Sequence, residues 1–207
     1  MIQLLLTKPE GASQEGGVPG GASSAPANTL APLPPLPLRH ARGSTHPTLL
    51  ARALRPEGTL ARVCAALADT PGADDPDALL EAGVSLLLRA LFLRCAAGRG
   101  LLPGAEESLA PGRLAWDGLR ELCCAVARGE AAPGAASPGG LFDDDAHPLL
   151  RAARPDERLL AGALRELSEA PDGAPVDFGA LPVRLLGTLQ EEASGRRLVR
   201  RGGRLLL

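Results

Sequence analysis

The chain has 207 residues, room for one domain with a tail, and a formal net charge of −2. That near balance excludes a polyanion-binding surface built on overall charge, but of 22 basic residues only Lys8 is a lysine, and arginine can hold phosphate in a bidentate way. Apolar runs reach about a dozen residues, short of the roughly 20 that a membrane span needs, and Met1–Leu6 lacks the basic start of a signal peptide, so a soluble cytoplasmic protein with no membrane partner is expected.

Residues 1–46 are dominated by Gly, Ser, Ala and Pro and include the polyproline-like stretch APLPPLPL at Ala31–Leu38. Such a segment buries too little apolar surface to offset its ordering entropy, so it is expected to be a disordered tail and plain linker. From Pro47 the pattern turns helical. Thr48–Leu54 reads as a short helical turn stopped by Pro56. Thr59 is the expected cap of a second helix, with Leu60, Val63, Cys64 and Leu67 along one face. Asp74 and Asp75 before Pro76 predict the start of a long helix running to about Ala97 and ended by Gly98. Its face Leu80, Val84, Leu87, Leu88, Leu91 and Cys95 is supplemented by Leu86, Phe92 and Leu93, so it is buried on most sides.

A helix over Arg113–Arg128 is expected to present Trp116, Leu119, Leu122, Cys123 and Val126 inward. A Pro/Gly/Ala loop at 129–140 follows, tethered by Leu141 and Phe142. The next helix is expected from Pro155 to Glu169, with Leu159, Leu160, Ala163, Leu164 and Leu167 inward. Val176 and Phe178 anchor a short extended piece, and Pro182 opens a last helix through Leu185, Leu186 and Leu189. Residues 196–207 form a basic tail in which Gly202-Gly203 can turn a hairpin. Its Leu205–Leu207 end reads as exposed, as if cut where a further element should pair. The expected architecture is mainly α: an irregular helical bundle over 47–195 with long loops.

No catalytic constellation stands out. Pro155-Asp156-Glu157 has the acidic look of a nuclease motif, but it opens a helix, where acids favour the dipole, and Lys8 lies in the tail. Asp143, Asp144, Asp145 and His147 are the best apparent metal cluster; three consecutive carboxylates without calcium-loop spacing read instead as a solvated surface turn. His147 is the sole ordered candidate base. Cys64, Cys95, Cys123 and Cys124 occupy apolar helical positions without zinc spacing and read as buried thiols of a reducing compartment. The expected site therefore holds no catalytic residue and no metal ligand.

Three segments carry a resemblance. Arg89–Pro103 reads RALFLRCAAGRGLLP, Gly139–Leu150 reads GGLFDDDAHPLL, and Val176–Ser194 reads VDFGALPVRLLGTLQEEAS. In this order, over about residues 77–194, they resemble the helical connector that precedes the methyltransferase domain in type II restriction–modification enzymes and adenine-specific DNA methyltransferases. Ala96-Ala97 stands where that family has a polar pair, and Leu189-Gln190-Glu191-Glu192 where it has Tyr-Glu-Gly.

The resemblance implies a non-catalytic body that positions a methyltransferase domain or subunit on DNA, in a truncated or split product. S-adenosylmethionine is implied for the full-length enzyme but not for this chain. The only Pro-Pro, Pro34-Pro35, is followed by Leu36 rather than an aromatic residue, and no strand, glycine-rich turn and helix that would bind the methyl donor is present. Arg196, Arg197, Arg200, Arg201 and Arg204 are the candidate phosphate contacts. Arg89, Arg94 and Arg99 are expected to pair and snorkel at a domain surface. The alternative is a stand-alone helical protein-interaction module with no nucleic-acid role, its apolar end serving a partner.

Overall fold

A computed structural model of the chain describes residues 45–109, 115–130, 139–170 and 172–207. The expected disordered tail over 1–46 lies outside these residues apart from its last two, which begin a helix, and so do the start of the helix expected from Arg113 and most of the 129–140 loop. The described fold is mainly α. Its helices are α1 (Thr45–Ala53), α2 (Thr59–Leu67), α3 (Pro76–Gly98), α4 (Ala105–Ser108), α5 (Trp116–Ala127), α6 (Pro148–Ala152), α7 (Glu157–Ser168) and α8 (Arg184–Ser194). Two 3-10 turns, Gly139–Phe142 and Phe178–Ala180, precede α6 and α8. Strands β1 (Val199–Arg201) and β2 (Arg204–Leu206) close the chain as an antiparallel hairpin.

Helix α3 is the axis. Its 23 residues begin as expected: Asp75 caps the helix by accepting from the Asp77 amide at 3.0 Å, and Pro76 occupies the first turn. Buried residues lie on every side of it, from Leu79 to Ala97. It contacts α2, α4, α5, α6, α8 and both 3-10 turns. Helix α2 packs between α3 and α7 and also carries β2. The α2–α3 crossing is close because Gly83 has no side chain: a Cβ there would stand 2.5 Å from the Cys64 sulfur.

Several local expectations change. The end of α3 is made by Gly100, not Gly98. Gly100 has φ +70, its amide donates to the Ala97 carbonyl at 2.7 Å, and the Leu101 amide donates to Ala96 at 2.9 Å. This is the paired capping geometry in which glycine takes the left-handed position. Gly98 has a different task. A Cβ on it would meet the Gly179 amide nitrogen at 2.7 Å, so backbone packs on backbone where the second 3-10 turn crosses α3.

The cap of α2 is Gly58, not Thr59. Thr59 is fully buried inside the first turn and its hydroxyl has no partner among the described residues. Helix α7 starts at Glu157, capped by Asp156, and Leu159 faces outward at 46 % exposure. With Leu160, Ala163, Leu164 and Leu167 already filling the inner face, Leu159 falls beyond its edge. The short helices α4 and α6 were not expected; both are too brief to carry a period.

The two-residue turn Gly202-Gly203 has positive φ at both positions, 56 and 78, the mirror-image turn that matches strand twist. Leu205–Leu207 are half-buried rather than exposed. Leu205 and Leu207 pack on the core, β2 lies against α2, and the Leu207 amide donates to the Pro56 carbonyl at 3.1 Å.

The two kinds of helical glycine separate in stability. Gly98→Ala forces the Gly179 backbone to shift and is expected to cost about 1–3 kcal/mol. Gly187→Ala in α8 meets nothing within 4 Å and is expected to gain up to about 1 kcal/mol from lower backbone entropy. Urea midpoints of the two variants check this; equal shifts would contradict the close approach at Gly98.

Candidate functional site

The long helix carries two arginines, with a third, Arg99, just past its end, and each reaches a segment distant in sequence. Arg89 is 4 % exposed. Its Nε donates to the Leu141 carbonyl at 2.7 Å, one terminal nitrogen meets the Asp144 carboxylate at 2.8 Å, and the other donates to the Asp143 carbonyl at 3.3 Å. The guanidinium also lies 5.9 Å from the centre of the Phe142 ring, which packs edge-on to Phe92 at 5.3 Å. One side chain thus holds four consecutive residues of the turn against α3.

Arg94 is 5 % exposed and donates to the Leu164 carbonyl at 3.0 Å and to the Ser168 hydroxyl at the end of α7. Phe178 covers it at 5.2 Å. Burial lowers its pKa from 12.5 to about 10, still far enough above neutral to keep the charge. The Phe178 face, the Leu164 carbonyl and the Ser168 hydroxyl are the partners of this charge among the described residues. Arg99, just past the helix, donates to the carbonyls of Gly179, at 3.2 Å, and Leu181.

The expected surface pairing of these residues is therefore overturned for Arg89 and Arg94, which are buried ties between elements. All three donate to the protein's own backbone; Arg89 also pairs with the Asp144 carboxylate and Arg94 with the Ser168 hydroxyl, and the Arg94 Nε has no partner among the described residues. An arginine fork suits this because it reaches several carbonyls at once from a fixed plane.

The acidic triplet does not act as one site. Asp143 accepts from the Asp145 amide at 2.9 Å, Asp144 faces Arg89, and Asp145 pairs outward with Arg151 at 2.8 Å. Among the described residues no group of three or more His, Cys, Asp or Glu side chains is arranged to hold a metal ion. Asp144 is the member whose importance spacing does not reveal; its signal is the partner Arg89, 55 residues earlier.

His147, ahead of Pro148, stands at the N-cap of α6 as a residue that starts or caps a turn, but it is half-buried rather than on the solvated surface. Its pKa is held below the ordinary 6.5, first by burial and next by the Arg89 charge, against the opposing pull of Glu81, the Gly140 backbone and Asp143. Asp156, the acid of the apparent nuclease motif, accepts from the amides of Arg158 and Leu159 as the cap of α7.

Burial pushes the thiols of Cys64 and Cys123 up to about 12, and that of Cys95 up as well, so they are inert at neutral pH. Cys124 is half-buried and lines an open groove of about 470 Å³ with Arg128, Phe142, Asp143 and Asp144.

The five C-terminal arginines are all exposed, but they are not one patch. Arg196 and Arg197 precede β1. Strand alternation puts Arg200, opposite Leu205, on one face of the hairpin, and Arg201, opposite Arg204, on the other. Arg204 also pairs with Glu57 at 3.5 Å. Among the described residues no helix is long and apolar enough to cross a membrane. No family model, curated protein or solved structure matches the chain.

Two predictions follow from the Arg89 tie. Arg89→Met strands a carboxylate and two carbonyls and is expected to cost about 3–5 kcal/mol, with Arg89→Lys recovering only part because an ammonium lacks the fork. Chemical denaturation checks it; a lysine variant as stable as the parent would show that the fork is dispensable.

The second concerns pH. Because folding depresses the His147 pKa, below pH 6.5 the unfolded chain binds the extra proton and stability falls as pH drops, while above 6.5 this group contributes no slope. His147→Gln is expected to flatten that part of the profile. Parallel acid slopes for variant and parent would exclude His147 as the cause.

Proposed function

We propose that the chain is a non-catalytic helical connector of the restriction–modification DNA methyltransferase type, carrying a methyltransferase domain or subunit and touching DNA phosphates through its C-terminal hairpin. One observation carries the reading: the three segments that resemble the connector converge. Arg89 of the first ties Leu141, Asp143 and Asp144 of the second, and Arg99, just past the helix, ties Gly179 and Leu181 of the third. Residues far apart in sequence thus belong to one packed body around α3, as a rigid spacer requires.

The described residues do not fit S-adenosylmethionine. A donor site needs a strand that runs through a glycine-rich turn into a helix, and here the only strands described are β1 and β2, paired with each other. Methyl transfer therefore belongs to the partner domain. DNA contact falls to the hairpin by elimination and by chemistry. Arg89 and Arg94 are buried and Arg99 is committed to carbonyls. Arg196, Arg197, Arg200 and Arg201 are exposed with no carboxylate paired to them among the described residues. No aromatic residue lies among them to stack a base, so contact is to phosphate and not to sequence.

The test is titration of duplex DNA at low and moderate salt, with and without Arg196, Arg197, Arg200 and Arg201 changed to Gln. Weak, sequence-independent binding that falls steeply with salt, and a salt slope reduced by roughly one per lost phosphate contact, is the expected result. Binding that resists salt, selects a sequence or ignores the substitutions would refute the reading.

A further inference from the structure

We infer that Arg201 and Arg204 form a phosphate subsite at the hairpin tip, and that Glu57 occupies it in the free protein and yields to DNA. The inference rests on the hairpin's DNA-contact reading and adds the residues of the subsite and its internal competitor.

The register sets the subsite. Arg201 and Arg204 are a directly opposed pair next to the Gly202-Gly203 turn. Opposed residues of an antiparallel ladder project from the same face with Cβ atoms about 4.5–5.5 Å apart. Two guanidinium groups so placed repel each other, and a like-charge pair of this kind weakens a hairpin. The turn residues are both glycine and bring neither a counter-charge nor a side chain that screens the pair. Within the hairpin nothing relieves the repulsion. A single tetrahedral phosphate can, because its oxygens accept from two arginines at once.

Glu57 is the only carboxylate among the described residues that pairs with either arginine, and it pairs with Arg204 alone. The contact is long, 3.5 Å, between side chains 77 % and 63 % exposed. An exposed pair of this sort is weak and readily exchanged. Its placement, however, is determined from both sides. The Pro56–Gly58 loop is packed so tightly that a Cβ on Gly58 would lie 2.9 Å from the Ala53 carbonyl oxygen and the Arg55 amide nitrogen. The Leu207 amide bonds to Pro56 in that same loop. Backbone on both partners thus delivers Glu57 to Arg204.

The nearby Arg55 and Arg62 share Glu166 at 2.7 and 3.1 Å, so that acid is already engaged elsewhere. One carboxylate neutralises one arginine of the pair; a DNA phosphate neutralises both and belongs to a dense array of charge. Glu57 therefore neutralises Arg204 without DNA and is displaced when phosphate arrives.

The test uses fluorescence anisotropy of a short labelled DNA duplex at low salt with the full chain. The variants are Glu57→Gln, Arg204→Gln and the double substitution, with Glu121→Gln on α5 as a control for simple loss of negative charge. Glu57→Gln is expected to tighten binding by about two- to fivefold, the scale of one exposed ion pair, and by more than Glu121→Gln does. Arg204→Gln is expected to weaken binding, and Glu57→Gln added to it to do no more than the control.

A Glu57→Gln effect equal to the control, or one that persists without Arg204, would overturn the competitor role while leaving the hairpin reading standing. A parent chain whose binding does not depend on the hairpin arginines would overturn that reading, and this inference with it. All the substituted side chains are exposed, and thermal melting of each variant separates a binding change from a folding one.

Discussion

Helix α3 depends on charge that it buries. A helix surrounded by protein on every side has to satisfy whatever polar groups it carries, and this one carries Arg89 and Arg94 at 4 % and 5 % exposure. Leaving either unpaired would cost far more than a single hydrogen bond returns. The surrounding chain answers Arg89 at all three nitrogens and Arg94 at a terminal nitrogen, leaving the Arg94 Nε without a partner among the described residues. The Leu141–Asp144 turn curls so that its carbonyls face Arg89, α7 ends with Ser168 beside Arg94, and Phe178 closes over that guanidinium. Segments with little regular structure are thereby fixed by donors projecting from the most regular element.

Glycine completes what the arginines begin. The turn at Phe178–Ala180 reaches its carbonyls to Arg99 because Gly179 and Gly98 let the two backbones touch. Gly83 does the same for the α2–α3 crossing. Close approach brings more apolar surface together around α3, where Leu86, Leu87, Leu91 and Leu93 are almost fully buried. The close packing around α3 comes from these two devices, donors spanning long sequence separations and backbone contacts without side chains between them.

The hairpin is a contrast. It is attached by Leu198, Leu205 and Leu207 and by one backbone bond to Pro56, and its arginines point to water. Arg89, Arg94 and Arg99 are used internally, while Glu57 pairs with Arg204 at the hairpin tip. A desolvated guanidinium must be satisfied by the fold, whereas a hydrated one is satisfied by water.

Much of the local structure is legible in the sequence. Asp75-Pro76 announces the start of α3, the apolar spacing of Leu60, Val63, Cys64 and Leu67 announces the buried face of α2, and Gly202-Gly203 announces the hairpin turn. These signals are local, because capping, periodicity and φ sign act within one or two turns of chain. Leu159 misleads because a helical period gives the direction of a face but not its width, which depends on the neighbouring helix. Thr59 misleads because a cap residue must stand outside the helix, and packing draws Thr59 into it.

The sequence by itself determined that the chain is mainly helical, where its main helices lie and how its hairpin turns, since those outcomes follow from interactions between residues a few positions apart. Only the tertiary structure decided the fate of the charges. Arg89 meets Asp144 across 55 positions and Arg94 meets Ser168 across 74, and no short-range pattern encodes such partners. In sequence Arg89, Arg94 and Arg99 read as surface residues that pair and snorkel, and Arg196, Arg197, Arg200, Arg201 and Arg204 as the candidate phosphate contacts. Tertiary placement separates the two groups: Arg89 and Arg94 are buried against their partners, Arg99 is exposed but donates to the Gly179 and Leu181 carbonyls, and the hairpin arginines stand exposed.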